Sequence, residues 1–459
     1  MGQSQKATQR AALVVATLTS FLGPFMASSV NVALPSIGEE LSMGAVSLAW
    51  INTAFLLAAA TFLIPFGRLG DIHGRKQIFM WGILGFAVSS GLLAMAGSGQ
   101  SVILWRAVQG LGASMVFATG LPILISVYPA GKRGAVLGLN VAAVYLGLSM
   151  GPFVGGMITG HLGWRYVFWM NVPVGLFILA ISFWMLEGDW ADAKGARFDL
   201  AGSVLLGLAL LTMMFGLARL PSVSAVALLV VGFVSLILFV RYELRIDYPV
   251  LEIDLFRHNT VFALSNLAAL INYAATFAVG FLLSLYLQKV RGLAPQDAGL
   301  VLIAQPVVQA LVSPLAGKLS DRSEPRTVAS LGMAITLVGL VLLVFLDDTT
   351  PLRLVVGCLA VLGLGFGIFS SPNTNAIMGS VERRFFGVAG AMVGTMRQMG
   401  MMVSMGLVMT VLAVLMGSAE ISGQNQALFL EAMRISFGLF AGLCFGGIFA
   451  SLARGRVDR

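Results

Sequence analysis

Charge is scarce in this sequence: Asp, Glu, Lys and Arg supply 10% of its 459 residues, where a soluble domain carries roughly a quarter. A water-facing surface of ordinary size is thereby excluded. Cysteine is scarcer still, with only Cys358 and Cys444, both inside apolar runs. No disulfide framework is available, and each thiol reads as a small hydrophobe. The three histidines, His73, His161 and His258, fall in or near polar connections, and none stands at metal-ligand spacing from a cysteine or another histidine. A glycine-rich phosphate-binding loop is also missing, which argues against directly bound ATP. No cofactor, no metal and no covalent catalysis are expected.

What fills the sequence is apolar residues, 58% of the total, in runs of about twenty, the length that carries a helix across a bilayer. Such runs predict spans near 11–34, 47–67, 77–96, 102–124, 135–158, 166–186, 199–218, 223–242, 260–288, 297–316, 327–346, 352–374, 386–416 and 432–452. Fourteen crossings leave length only for short connections. Helices are the expected element because an unpaired backbone group in lipid costs several kcal/mol, so the predicted fold is all-α and polytopic. The first run is too long for a signal-peptide core and ends in Asn31-Val32-Ala33-Leu34-Pro35 rather than a cleavage site, and it reads as the first span.

The net charge of +8 is not concentrated in one segment, so the bilayer, and not nucleic acid, is the expected partner. With both termini in the cytoplasm, twenty Lys and Arg fall on the inner side and six on the outer, the bias of the positive-inside rule. A multi-pass inner (plasma) membrane protein with cytoplasmic termini is expected. Arg106 and Arg397 remain within spans.

An internal repeat divides the chain. Gly67, Leu69 and Asp71 after the second span recur as Gly317, Leu319 and Asp321 after the tenth, 250 residues on. Gly110-Leu111-Gly112 in the fourth span recurs as Gly363-Leu364-Gly365 in the twelfth, 253 residues on. Spans 1–6 and 9–14 therefore read as two copies of one six-helix bundle, residues 1–186 and 259–459, with an inserted pair in 187–258. Two halves with a site between them at mid-membrane suit alternating access.

The turn Gly67, Arg68, Leu69, Gly70, Asp71, Ile72, His73, Gly74, Arg75, Lys76 resembles the G-x-L-x-D-x-x-G-R-K signature of the major facilitator superfamily. The resemblance implies a gating loop of Gly67, Leu69, Asp71, Gly74, Arg75 and Lys76, with a partial copy at Gly317, Asp321 and Arg322. Gly147, Gly151, Pro152, Gly155 and Gly156 in the fifth span resemble the G-x-x-x-G-P-x-x-G-G pattern of that superfamily's exporters. Five small or kinking residues let another helix press close, and generic packing is the alternative. Asn31 to Ile37, and Trp164 to Phe168 with Asn171, Val172 and Pro173, resemble the fourteen-helix drug and proton antiporter branch. That branch implies a monomeric secondary transporter of a small-molecule substrate, coupled to a proton or another ion.

One position departs from the branch. Where it carries an acid on the first helix, this chain has Met26, and all 20 acidic residues lie toward span ends or in connections. Cation export commonly relies on a buried carboxylate, because uncompensated charge in the membrane is expensive. Its absence weakens a cationic-drug reading.

The polar groups left within the spans are basic or neutral. Arg397 stands about eleven residues into the thirteenth span, roughly 16 Å deep at about 1.5 Å per residue, and it reads as a structural arginine, a substrate contact or a gate. Arg106, with Gly110, matches the superfamily's R-x-x-x-G in the fourth helix, which implies gating or proton relay. Gln305, Gln309 and Ser313 share one helical face. Asn31, Gln109, Asn140, Asn266, Asn272, Asn373 and Asn375 are further candidates, each as apt for interhelical bonding as for pore lining. Three functions follow as expectations: export of small amphipathic compounds, export of an anionic or zwitterionic metabolite such as a siderophore, or a non-transporting membrane receptor or assembly factor.

Overall fold

A computed structural model describes residues 2–191, 193–195, 197–220, 222–246, 249, 251, 253–381, 386–417, 419, 421 and 424–455. Among these, helix is the only regular element, and fourteen helices are long and apolar enough to cross a membrane. They are α1 (Gly2–Leu41), α2 (Ala45–His73), α3 (Arg75–Ala94), α4 (Gly99–Val127), α5 (Ala130–His161), α6 (Arg165–Met185), α7 (Leu200–Arg219), α8 (Val223–Glu243), α9 (Thr260–Val290), α10 (Pro295–Ser320), α11 (Pro325–Val344), α12 (Leu352–Gly379), α13 (Phe386–Leu415) and α14 (Gln426–Ala453).

Every predicted span is a helix, and many run past the apolar stretch that announced them. A helix continues into the polar region as long as its ends are capped. Ser98 closes a reciprocal capping box with Ser101 at the start of α4, and Asp199 accepts from the Gly202 amide at 2.9 Å to begin α7. Ser222 and Asn259 do the same for α8 and α9. Pro295 and Pro325 open α10 and α11, where a proline loses no hydrogen bond.

The repeat read from sequence is present as packing. In the first half α1 lies on α5, α2 and α3 lie on α4, and α3 on α6; in the second α9 lies on α13, α10 and α11 on α12, and α11 on α14. Equivalent glycines make equivalent contacts. A Cβ at Gly110 would strike the Phe55 carbonyl, and one at Gly363 would strike that of Gln305. Gly82 faces the Gly112 carbonyl at 2.8 Å from an added Cβ, as Gly332 faces that of Gly365 at 2.7 Å. These are sites where only a hydrogen at Cα lets two backbones meet. The inserted α7 and α8 pack on each other, and α7 also touches α2 of one half and α13 of the other, where Thr410 Oγ1 donates to the Leu217 carbonyl at 3.0 Å.

The halves are joined at the end remote from the Gly67–Lys76 turn. There Ser284 Oγ donates to the Asn31 carbonyl, Gln288 Nε2 to that of Val32 at 2.9 Å, and Lys289 pairs with Glu39 at 2.6 Å. Thr53 Oγ1 meets Met409 Sδ, and the Ala45 amide reaches the Ala419 carbonyl at 3.4 Å. The α9 side of this seam is irregular: residues 286–290 form a π-helical turn that carries Gln288 and Lys289. Toward the basic turns the pattern changes. Added Cβ atoms at Gly67, Gly70 and Gly317 would meet only residues of their own half, and at Gly390 and Gly394 of α13 they would meet nothing within 4 Å. These bonds between the two halves gather at the end away from the basic turns.

Candidate functional site

Beneath the stitched seam, at about half the depth of α13, stands Arg397. It is half-buried, and no carboxylate among the described residues contacts it. The Tyr273 hydroxyl on α9 lies beside Ser370 of α12 and Arg397 of α13. Phe366 packs edge-on against Tyr273 with ring centroids 5.2 Å apart. α9 and α13 approach this closely because Gly400, three residues on from Arg397, lets the Leu270 carbonyl and Tyr273 Cβ press against it. A guanidinium and a phenol side by side can hold an acceptor-bearing ring by charge-assisted hydrogen bonds and by a ring face.

Arg106 is placed differently. At 2% exposure it is enclosed within the first half. Its Nε donates to the Ile51 carbonyl at 3.1 Å, its Nη1 donates to Gln109 Oε1, and its guanidinium lies 4.4 Å from the Phe55 ring centre. Gln109 Nε2 passes the bond on to Ser90 Oγ at 2.7 Å, which ends on the Phe86 carbonyl. A buried cation needs such compensation, and here a carbonyl, an amide and a ring face supply it.

The remaining candidates divide between seam and interior. Asn31 stands at the seam, its Oδ1 accepting from Asn52 Nδ2 at 2.7 Å. Met26 turns inward, its Sδ facing Asn171 Nδ2 of α6 at 2.8 Å. Asn140 bridges α5 to α1 through Ser20 Oγ at 2.8 Å and the Ala16 carbonyl at 3.2 Å. Gln309 is buried against α12, its carbonyl beside Gly367, while Gln305 is half-buried. Among the candidates, Arg397 is the one that lies beside the Tyr273 hydroxyl.

The helix α5 pattern serves two surfaces at once. Gly147, Gly151 and Gly155 face α1, where added Cβ atoms would strike Phe21, Ser28 and Ser29. Gly156 faces the other half, 2.6 Å from the Pro295 carbonyl to an added Cβ, and the Pro152 carbonyl abuts Gly299 of α10. In the turn between α2 and α3, Arg75 pairs with Asp71 at 2.7 Å and donates to Ser126 of α4 at 3.1 Å. Gly74 takes φ +111° with the Asp189 carboxylate where a Cβ would stand, a conformation and a gap only glycine fits. Lys76 Nζ donates to the Leu186 carbonyl. The backbone of Gly317, Asp321 and Arg322 continues α10, while the side chains of Asp321 and Arg322 lie outside the described residues.

Sequence reasoning passed over Tyr145 and Tyr273. Tyrosines in membrane proteins favour the interfaces, and these two of the seven tyrosines stand mid-span, a signal the sequence held. It also passed over Arg454 just beyond α14, 1% exposed. Its Nη1 donates to Asn373 Oδ1 at 2.7 Å and Ser265 Oγ at 3.2 Å, and burial lowers its pKa to about 10, with Glu324 opposing. In the connection after α11, Thr350 first and then Thr349 hold the Asp347 carboxyl below its ordinary range by donating to it.

Comparison with known proteins matches residues 16–240 and 266–458 to the Major Facilitator Superfamily. The riboflavin transporter RibZ of Clostridioides difficile (strain 630) is 28% identical over 439 residues, covering 95% of each chain. The tetracenomycin C resistance and export protein of Streptomyces glaucescens is 30% identical over 395 residues, 85% of this chain and 72% of that one. Among solved structures, a bacterial homologue of the human lysosomal transporter Spinster, in an inward-facing and unoccupied conformation, superposes with TM-score 0.70 at 16% identity, covering 99% of this chain and 98% of that one.

Proposed function

This chain belongs to the Major Facilitator Superfamily, and from that premise we propose that it is a secondary exporter of small amphipathic compounds working by alternating access. The observation that carries the reading is the seam: two repeated bundles bonded to each other at the end away from the basic turns, with Arg397 and Tyr273 together at about half the depth of the second bundle. With the basic turns placed in the cytoplasm by the positive-inside rule, this is the state that loads from the inside. Relatives named for resistance and export support the direction, and the α5 glycine pattern agrees with it.

The substrate we favour is planar and bears an acceptor or anionic edge, because no carboxylate among the described residues pairs with Arg397 and an anion in that place would balance the charge. A relative named as a riboflavin transporter fits a ring-bearing cargo. Coupling runs through an ion gradient by way of groups other than a first-helix acid, since position 26 is methionine. Both termini lie in the cytoplasm, the membrane is the inner one, and the working unit is a monomer of three parts, 1–186, 187–258 and 259–459.

The test is a comparison of compound accumulation in cells lacking the protein and in cells overproducing it. Planar acceptor-bearing or anionic compounds should accumulate in the first and be depleted in the second. Equal accumulation across a broad panel, with the protein confirmed in the membrane, would contradict export and favour the receptor reading.

A further inference from the structure

Helices α3 and α6 are tied together at both ends and part between. At one end Gly175 of α6 lies against Ala87 of α3, an added Cβ standing 2.9 Å from it. At the other, Lys76 Nζ donates to the Leu186 carbonyl just past α6. Between these ties a cleft of about 450 Å³ opens on the outside of the bundle. Its walls carry Met80, Trp81 and Leu84 on one helix and Phe183 and Trp184 on the other, with Gln77 as the polar group nearest the Lys76 end. The spacing keeps each set on one helical face, and the cleft runs about 10 Å along the helix axes, seven residues at about 1.5 Å each.

Trp81, Phe183 and Trp184 are 65%, 63% and 75% exposed on helices that span the bilayer, so lipid is the solvent of this cleft. Apolar walls that neither collapse nor meet another helix are filled by what surrounds them. The charge lies at one end. Lys76 uses one of its donors on Leu186, and an ammonium has three, so donors remain on the residue next to Gln77 of the cleft wall. The exposed tryptophans flank the same end, where their amphipathic rings suit the headgroup level. We infer that the α3–α6 cleft is a binding site for one acyl chain of an anionic phospholipid, from the leaflet on the side of the basic turns, with its phosphate at Lys76 and Gln77.

The consequence is a lipid seated directly under the gating turn, since Lys76 follows Gly74 and Arg75. The site is independent of what the protein exports, so it stands or falls separately from that reading.

Native mass spectrometry of the full chain in mild detergent, with phosphatidylglycerol or phosphatidylcholine of identical chains, tests it. One phosphatidylglycerol should be retained per chain, preferred about fivefold over phosphatidylcholine, the contribution of one lysine near an anionic headgroup. Ala180→Phe, which fills the cleft wall, should remove that adduct. Lys76→Gln should keep an adduct but lose the headgroup preference. Phosphatidylglycerol brominated on its chains should quench tryptophan fluorescence more in the wild type than in Ala180→Phe, a second readout taken on protein of unchanged melting temperature. Retention of the same adduct by a stable Ala180→Phe protein overturns the site, as does a dimer that falls to monomer in that variant, which would make a second copy the occupant. An equal preference for both lipids in the wild type overturns the role given to Lys76.

Discussion

Two arginines in the membrane interior show how differently one side chain can be used. Arg106 has its compensation built in: a backbone carbonyl, Gln109 and the face of Phe55, all from its own half. Arg397 stands half-buried beside Tyr273, at the junction of α9, α12 and α13. If Arg397 meets the substrate, Arg397→Lys keeps the charge but loses the planar fork, so affinity should fall with Lys and further with Gln. A charge-assisted hydrogen bond contributes about 1.5–3 kcal/mol, which places the Gln variant about 10- to 100-fold weaker. Binding to purified wild type and both variants, measured beside their melting temperatures, separates this from a bracing role, in which stability drops while the affinity of the folded fraction holds. The sequence displayed both arginines with equal prominence. What it could not display was which elements surround each one, because that depends on helix rotation and not on depth along the span.

Among the elements, α5 was read most fully and in part too simply. Its glycine pattern announced close helix packing, and the structure has it, but on two faces: Gly147, Gly151 and Gly155 toward α1, and Gly156 toward α10 of the other half. A change at Gly155 therefore loads the interior of one bundle, whereas a change at Gly156 loads the seam. Gly156→Val should disfavour the stitched state by about 1–3 kcal/mol, the usual cost of overpacking, and bias the protein toward opening on the far side with little loss of folded protein. Accessibility of single cysteines placed along the seam to a membrane-impermeant thiol reagent checks this; Cys358 and Cys444 are buried and give a quiet background. Labelling unchanged from wild type would remove Gly156 from the seam's function. The π-helical turn at the end of α9 was not legible at all. A single extra residue per turn leaves the apolar run unaltered, and only the bonds of Gln288 and Lys289 to α1 reveal its effect.

For the whole molecule, fourteen spans and the doubled half were plain in sequence because lipid imposes run length on every helix and because backbone contacts fix glycine. Gly110 and Gly363 recur at their spacing since Phe55 and Gln305 carbonyls press on both. The end at which the halves bond to each other was not legible, since a transporter's sequence must serve both states and carries no mark of which one is occupied. If alternating access governs this protein, a cross-link across the seam should arrest it. Glu39→Cys with Lys289→Cys, at positions whose side chains now form an ion pair at 2.6 Å, should lose nearly all transport when bridged by a short reducible bifunctional thiol reagent and regain it on reduction, while either single variant keeps most of it, as exposed ion pairs contribute only about 0–1 kcal/mol. Transport that survives complete cross-linking excludes opening of the seam at that point.

The activity proposed for this protein is gradient-driven export through two halves that rock about the Arg397 site. Inside-out membrane vesicles holding the protein, offered a compound found to accumulate in cells that lack it, measure this directly. Uptake into the vesicles should follow an imposed ion gradient, collapse with an ionophore, proceed without ATP hydrolysis, and fall several-fold in a normally inserted Asp71→Asn protein, in which the turn between α2 and α3 loses the Asp71–Arg75 ion pair. Uptake that persists after the gradients are dissipated, or that Asp71→Asn leaves at the wild-type rate, would contradict the account.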